Sequence, residues 1–299
     1  MFKHILVPLD GSRLAESVLP VTSHLAKTLN ASVTLFHVIE QDAPKEVHGE
    51  AHLNNPDEAN EYLKGIAEQA FPAEVKVDYH VHTAEAKDVA RSIVEHETEF
   101  THDLIVMCTH GRGRALHLLL GSIAQQVISK GNIPVLIIHP DDRKTLEKFS
   151  CNSILLPIDE SAEHEQVLPV AREFASACDA TIHLIMVIQT FATVSGRWTS
   201  TTRYLPGTTS TMLELSVEDA EEYLANQQQQ LTKEGLTVSA NVLRGDPANV
   251  IVDAAKKLNV DLIILGTHGK SGMDALFSGS VANKVCSQCK VPLLLVPVK

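Results

Sequence analysis

A glycine-rich segment near the C-terminus has the spacing of an anion-binding loop. It begins Gly266-Thr267-His268-Gly269 and, after nine more residues, reaches Gly279-Ser280-Val281. Glycines allow backbone N–H groups to approach phosphate oxygens closely. A helix that starts at Gly279-Ser280 would attract anions through its dipole and its free N–H groups. The spacing therefore predicts a phosphate-binding loop, in which the Ser280 hydroxyl donates a hydrogen bond or helps to hold Mg²⁺.

Two other interpretations of this segment are simpler. Gly266 and Gly269 could only end a strand and begin a turn, although the full spacing makes this less convincing. Gly269-Lys270-Ser271 matches the end of the P-loop motif, but the first glycine of that motif would fall at Ile264, inside an apolar strand. The spacing therefore excludes a P-loop nucleotide hydrolase.

A carboxylate follows an apolar segment at the start of each half of the chain. Residues 5–10, ending in Asp10, recur as residues 154–159, ending in Asp159. An aspartate after a strand can accept hydrogen bonds from an adenine or a ribose. It can equally cap a helix or form a turn, and the two roles can coexist.

The glycine loop is also duplicated, but unequally. Thr109-His110-Gly111 and Gly121-Ser122 precede their second-half counterparts by 158 residues. Cys108 stands where the second half has Gly266, so a β-carbon could crowd a ligand in the first half. Arg112 and Arg114 could compensate by reaching phosphate oxygens.

The elements that must position these residues alternate between strand and helix. The first half predicts strands at 3–9, 33–38, 75–81, 104–108 and 135–139, with helices at 12–29, 58–70, 88–97 and 121–130. This alternation predicts an α/β fold of two doubly wound, Rossmann-like domains, each with a five-stranded parallel sheet. We expect domains at 1–140 and 151–299, produced by tandem duplication and joined by a linker at 141–150.

The composition restricts the partners. A net charge of −12 argues against a nucleic-acid partner, which needs a basic surface. No apolar segment approaches the roughly 20 residues of a membrane span, and the N-terminus lacks the layout of a signal peptide. Five cysteines in 299 residues suggest a reduced compartment, so we expect a cytoplasmic protein.

The aspartate after strand one and the glycine loop after strand four resemble the universal stress protein family, over almost the whole chain and twice. The resemblance implies a fold like that of the adenine nucleotide alpha hydrolases and a bound ATP or ADP, with or without Mg²⁺. The second-half residues that match the family's binding positions are Pro157, Asp159, Val187, Leu265, Gly266, His268, Gly269, Gly279, Ser280 and Val281. The first-half residues are Pro8, Asp10, Val38, Gly111, Arg112, Gly121 and Ser122.

The resemblance also implies a function. It indicates a nucleotide-binding stress-response regulator without dedicated catalysis, with a slow ATP hydrolase and a nucleotide-free interaction module as alternatives. In the family, strand five commonly pairs across a dimer. Here residues 135–139 and 293–296 would pair within one chain as a pseudo-dimer, and two chains would then form a homodimer.

Two further groups of residues could bind a metal. Cys286 and Cys289 form a single C-x₂-C pair, for which we favour a structural role over a redox or zinc site. His80 and His82 share one strand face, and we favour a solvated pair over a metal site.

An insertion at 190–216 distinguishes the second half. It is rich in serine and threonine and contains the only tryptophan, Trp198. It could be a lid over the site, a partner surface or a disordered loop, and we favour the loop.

Overall fold

The computed structural model describes residues 2–41, 46–47, 50–109, 120–140, 149–161, 166–193, 204–268 and 281–298. The strands are β1 His4–Pro8, β2 Ser32–Glu40, β3 Glu46–Val47, β4 Glu50–Ala51, β5 Val77–Ala86, β6 Leu104–Cys108, β7 Val135–Ile138, β8 Ser153–Pro157, β9 Thr181–Ile188, β10 Val238–Arg244, β11 Leu262–His268 and β12 Leu293–Val298. The helices are α1 Arg13–Glu16, α2 Leu19–Leu29, α3 Pro56–Ala70, α4 Val89–Glu99, α5 Ser122–Lys130, α6 Val167–Cys178, α7 Pro206–Lys233, α8 Pro247–Leu258 and α9 Val281–Gln288.

Ten strands form one sheet in the order β10-β9-β8-β11-β12-β7-β6-β1-β2-β5. Within each half all neighbouring strands are parallel. Helical connections make this possible, because a parallel neighbour requires a crossover rather than a tight turn. The predicted pair of doubly wound five-stranded domains is therefore confirmed. The division at 1–140 and 151–299 stays a prediction.

The sheets of the two halves join through an antiparallel pair of strands in the middle of the ten-stranded sheet. Strand β12 pairs with β7, with Leu294 opposite Leu136 and Leu295 opposite Val135. All four of these side chains are buried. The intramolecular pairing of the two fifth strands is thus confirmed, and it removes one exposed sheet edge from each half.

Helices cover both faces of the sheet and divide the core into two layers. One layer lies under α1, α2, α3, α6 and α7, and the other lies under α4, α5, α8 and α9. Alternate strand residues enter opposite layers, as in β1, where Ile5 and Val7 face one layer and Leu6 the other. Strands buried on both faces need continuous apolar sequences, which explains why their segments are easy to recognise.

The helix predicted at 12–29 is interrupted. Ser12 caps α1, which ends at Glu16, and α2 begins at Leu19. Pro20 explains the break, because it lacks an N–H group and is tolerated only in the first turn of a helix. At the break, the Ser17 hydroxyl donates a hydrogen bond to the Leu14 carbonyl oxygen at 2.7 Å.

The insertion is not a disordered loop throughout, contrary to our expectation. Residues 206–216 are the first turns of α7. The hydroxyls of Thr209, Thr211 and Ser216 donate to carbonyls four residues earlier, a pattern that slightly destabilises a helix without ending it. Residues 194–203, including Trp198, lie outside the described residues. In the part of the chain that is described, no helix combines the length and apolarity needed to cross a membrane.

Candidate functional site

The described site residues lie at or near the carboxyl ends of three neighbouring strands in each half, and at the start of the helix α5 or α9. Strand β1 pairs with β6, with Ile5 opposite Leu104, and β8 pairs with β11, with Ile154 opposite Leu262. The chain leaves β1 towards β2 on one side and returns to β6 on the other side. Such a reversal of strand order opens a crevice at the carboxyl ends, where open α/β sheets bind ligands.

Asp10 and Asp159 both organise the turn that leaves the first strand of their half. Asp10 Oδ1 accepts hydrogen bonds from the Ser12 N–H at 3.0 Å and from the Ser12 hydroxyl at 2.6 Å. Asp159 Oδ1 accepts one from the Ser161 N–H at 2.9 Å. The aspartates are therefore turn formers. In the first half the cap of α1 is Ser12, whose Oγ accepts from Ala15 N–H.

A leucine covers the first-half turn, and the sequence did not indicate this contact. Gly11 has φ +86°, and a β-carbon there would lie 2.8 Å from Cδ1 of Leu53. The buried ring of His37 bridges the same elements, with Nδ1 2.7 Å from the Leu9 carbonyl oxygen and Nε2 2.9 Å from that of Leu53. At the matching positions 149 residues later, the second half has Glu160 and Met186. This difference between the halves is the feature of the sequence from which the contact of Leu53 with Gly11 could have been inferred.

The other predicted residues at the strand ends are partly described. Val38 is buried, whereas Val187, Pro8 and Pro157 are half-buried. Leu265 is buried, Gly266 is half-buried and His268 is the last residue of β11. The structure describes neither Gly111 and Arg112 nor Gly269, Gly279 and Ser280.

The helix that follows the first-half glycine loop begins where the sequence predicted. Gly121 is the N-cap of α5 with φ −61° and ψ 152°, and Ser122 is its first residue. In the second half, α9 begins at Val281, which is 38% exposed. In the first half, the N-terminal end of α5, which attracts anions, is accessible at the exposed Ser122.

Cys108 does not face the layer of the core to which Val38 belongs. Its side chain is 3% exposed and lies with Leu104 and Val106 in the layer under α1 and α2. The alternate residues Ile105 and Met107 enter the opposite layer, which contains Val38. The thiol is therefore a core group at the end of β6.

A half-buried histidine lies beside Thr109, directly after β6. Nδ1 of His139 is 3.2 Å from the Thr109 hydroxyl. Burial, and secondarily the charge of Lys290, lower the pKa of His139 to about 4. The ring is therefore neutral at physiological pH and connects the ends of β6 and β7.

The two cysteines of the C-x₂-C pair are core residues. Both are 2% exposed. Burial raises the pKa of Cys286 to about 12 and also raises the pKa of Cys289. Zinc binding and redox exchange require thiolates, so these shifts support the structural role.

A family model described as the universal stress protein family matches residues 1–139 and again residues 151–297. The chain belongs to the universal stress protein family. It is 32% identical over 151 residues to universal stress protein MJ0531 of Methanocaldococcus jannaschii, covering 48% of this chain and 80% of that protein. It is 25% identical over 300 residues to universal stress protein Mb2028c of Mycobacterium bovis, covering 97% and 96% of the two chains.

The fold has counterparts among solved structures. A universal stress protein from Archaeoglobus fulgidus matches with a TM-score of 0.67 and 18% identity, covering 99% of this chain and 96% of that one. The match extends over both halves, so the tandem arrangement is shared. Another universal stress protein, solved in complex with cAMP, matches 50% of this chain and 98% of its own with a TM-score of 0.36 and 18% identity.

Proposed function

We propose that this universal stress protein is an ATP- or ADP-binding stress-response regulator without dedicated catalysis. The observation that carries the proposal is the meeting of β8 and β11 at the reversal of strand order, with Asp159 after one strand and Gly266 near the end of the other. Asp159 would accept hydrogen bonds from the base or ribose, since its turn holds the carboxylate at the crevice. The family's cAMP complex is consistent with an adenine nucleotide as the ligand.

The phosphates would lie on the loop between β11 and α9. In this proposal Gly269 and Gly279 bring backbone N–H groups close to the phosphates, and Ser280 donates its hydroxyl or helps to hold Mg²⁺. Support comes from the first half, where Gly121 adopts the extended capping conformation directly before α5. Pro157, Val187 and Leu265 would provide apolar contacts to the base.

We place the principal nucleotide site in the second half. Leu53 lies over Gly11 at the first-half turn, whereas the second half has a glutamate at the matching position. A base entering beside Asp10 would have to displace Leu53 and the segment joined to it through His37. We therefore propose a weaker site in the first half, formed by Pro8, Asp10, Val38, Gly111, Arg112, Gly121 and Ser122.

A matched pair of loop variants tests this assignment. Gly279→Val should lower the affinity for ATP by about 100-fold or more, because side-chain bulk prevents close approach of phosphate to backbone. Gly121→Val, the same change in the first half, should leave the tight site intact. Isothermal titration with ATP and ADP, with circular dichroism to verify the fold, measures both affinities. Unchanged tight binding in a folded Gly279→Val protein would reject the site.

Native mass spectrometry of the purified protein tests the type of function. Co-purified ATP or ADP supports a binding regulator. Conversion of added ATP to ADP that depends on Gly279 would instead indicate a hydrolase. The absence of any bound nucleotide, together with no binding in titration, would indicate a nucleotide-free interaction module.

The proposal extends to location and assembly. The five cysteines are all free, which suits a reducing cytoplasm. We propose that the chain forms a homodimer in addition to its internal pseudo-dimer. Cell fractionation and sedimentation equilibrium test these two statements, and a monomer at micromolar concentration would exclude the dimer.

A further inference from the structure

Three histidines come together at the outer edge of the first half. His80 and His82 lie on β5, the last strand of the sheet, and His96 lies on α4. One ring nitrogen from each lies within 4.8 Å of the others. His96 is 4% exposed, while His80 is the most accessible of the three. The solvated pair expected from the sequence is thus part of a three-histidine cluster.

Strand register and helix spacing explain this meeting. His80 lies opposite Phe36 and His82 lies opposite Val38, so both histidines point into the layer under α4. Helix α4 begins after its cap Asp88, and Ile93 and His96 are one turn apart on its buried side. The strand and the helix therefore direct three imidazoles into one space.

Aromatic rings hold the cluster from two sides. The His96 ring is 4.2 Å from Phe36 and 5.1 Å from Phe100, measured between centroids. His80 stacks on Phe36 at 5.9 Å. His102 Nδ1 is 3.2 Å from the His96 carbonyl oxygen. These contacts restrict the rings and reduce the entropy that would be lost when they bind a ligand together.

We propose that His80, His82 and His96 bind one divalent transition-metal ion, with Zn²⁺ as the reference ion. Neutral imidazole is a preferred ligand of zinc, copper and nickel, and three histidines with an open fourth position form a known zinc geometry. With Zn–N bonds near 2.0–2.1 Å, tetrahedral ligand nitrogens lie about 3.3 Å apart. Rotation of the accessible His80 and half-buried His82 towards His96 supplies the required contraction. The fourth position opens at the His80 side and takes water.

The second half shows that the fold does not require these histidines. In β10, Asn241 lies opposite Ile185 and Leu243 lies opposite Val187, in the places of His80 and His82. Ala254 follows the cap Asp246 at the same distance at which His96 follows Asp88. Packing of the edge strand on its helix is therefore achieved with apolar and amide side chains. The histidines supply metal-ligating nitrogens that the packing itself does not need.

The second half also provides substitutions that should preserve the fold. His80→Asn with His82→Leu copies its edge strand, and His96→Ala copies its helix. His4→Asn with His24→Asn is the matched control, because it removes two histidines outside the cluster. Each protein is stripped with a chelator and titrated with Zn²⁺ in a calorimeter and with Co²⁺ in a spectrophotometer.

The unsubstituted chain should bind one ion, with the intense visible absorption of four-coordinate Co²⁺. Loss of an outer-shell partner alone costs 10–100-fold in metal affinity, so loss of two ligands should cost about 100-fold or more. The control should bind with unchanged affinity. Circular dichroism without metal should show that all variants are folded, and the ATP affinity of the second half should not change.

Two results would overturn the proposal. One is the absence of stoichiometric Zn²⁺ or Co²⁺ binding by the folded, unsubstituted chain. The other is equal metal affinity in the cluster variants and the control, which would indicate nonspecific binding by other histidines of the chain. Because nucleotide binding is measured separately, neither result bears on the proposed regulator function.

Discussion

The two halves have the same strand order but differ at the two places for which we propose ligands. At the reversal of strand order, the first half has Cys108 and a turn covered by Leu53, whereas the second half has Gly266. At the outer edge, the first half places histidines beside phenylalanines. The second half places Asn241 and Leu243 at the matching edge positions.

The comparison separates the residues that make the fold from those that give each half its chemistry. The residues that join the two fifth strands remain apolar in both halves, as shown by Leu136 and its counterpart Leu294. Positions at the strand ends and at the edge change freely between polar, aromatic and aliphatic residues. Function can therefore differ between the halves while the architecture stays the same.

The largest effect we expect is at the junction, where the halves should behave alike. Leu136→Ala and Leu294→Ala should each lower the free energy of unfolding by about 3 kcal/mol, since both side chains are fully buried and leave a cavity. The two residues face each other, so the double variant should be non-additive. Urea unfolding measures all three. Leu258→Ala, at a residue 37% exposed, is the control and should cost far less.

Unequal costs at Leu136 and Leu294 would break the comparison. Leucine truncations differ in cost because sites differ in how far they relax around the cavity. A difference above about 1 kcal/mol between the two free energies would mean that one half relaxes more easily than the other. Strict additivity would mean that the two strands do not pack on each other in solution.

One pH-dependent effect should distinguish the first half, at the residue that follows its fifth strand. His139 has a pKa of about 4 in the fold and an ordinary value of 6.5 when unfolded, and the second half has Pro297 at that place. Above pH 6.5 the ring is neutral in both the folded and the unfolded chain, and His139 does not lower the free energy of unfolding. As the pH falls towards 4, the unfolded chain binds a proton that the folded ring refuses, so stability is lost by about 1–3 kcal/mol.

His139→Asn should remove this part of the pH dependence. Thermal unfolding from pH 7.5 to 4 measures the slope for the variant and for His4→Asn, whose exposed ring serves as the control. Equal slopes in the two variants would place the acid sensitivity elsewhere in the fold.

Much of the fold was predictable because the physical signals are local. Strands β1 and β6 are short apolar segments buried on both faces, and α4 has apolar residues at helical spacing. The meeting of the carboxyl ends of β1 and β6 at one edge of the sheet also followed, because the strands of a parallel sheet end on the same side. The pairing of the two fifth strands was predicted from the resemblance to the universal stress protein family, in which strand five commonly pairs across a dimer.

The contacts that the sequence did not indicate join segments distant along the chain. Leu53 lies in an irregular connection, so no periodicity placed it over Gly11. His96 lies three residues after the buried Ile93, and that spacing was a usable signal that it faces the sheet. Recognising the cluster also required the register of β5 against β2, which alternation alone does not fix.

Cys108 allows a smaller test of the unequal loops. Cys108→Gly copies Gly266 and should lower the free energy of unfolding by about 1–2 kcal/mol, because it removes a buried side chain and adds backbone freedom. ATP affinity of the first half should change less than about threefold, well under 1.4 kcal/mol, because the thiol faces the core under α1. Isothermal titration of the variant with ATP measures this affinity. A first half that becomes a tight ATP site would show that the thiol, not Leu53, limits binding.

The smallest effect concerns the caps of two equivalent helices. Asp88 accepts from the Arg91 N–H at 3.0 Å and Asp246 accepts from the Asn249 N–H at 3.1 Å, so replacing either by alanine should cost about 1 kcal/mol. Asp88 also pairs with Lys130 at 2.6 Å, where the second half has Gln288.

This ion pair should make the two caps measurably unequal. Its side chains are 33% and 40% exposed, so solvent screening limits it to a few tenths of a kcal/mol, up to about 1 kcal/mol. In urea unfolding at low salt, Asp88→Ala should therefore lower the free energy of unfolding by that much more than Asp246→Ala does. Lys130→Gln, which copies the second half, should make the two costs equal, as should 1 M NaCl. A cost of Asp88→Ala that neither change lowers would assign the excess to the geometry of the cap instead of the charge.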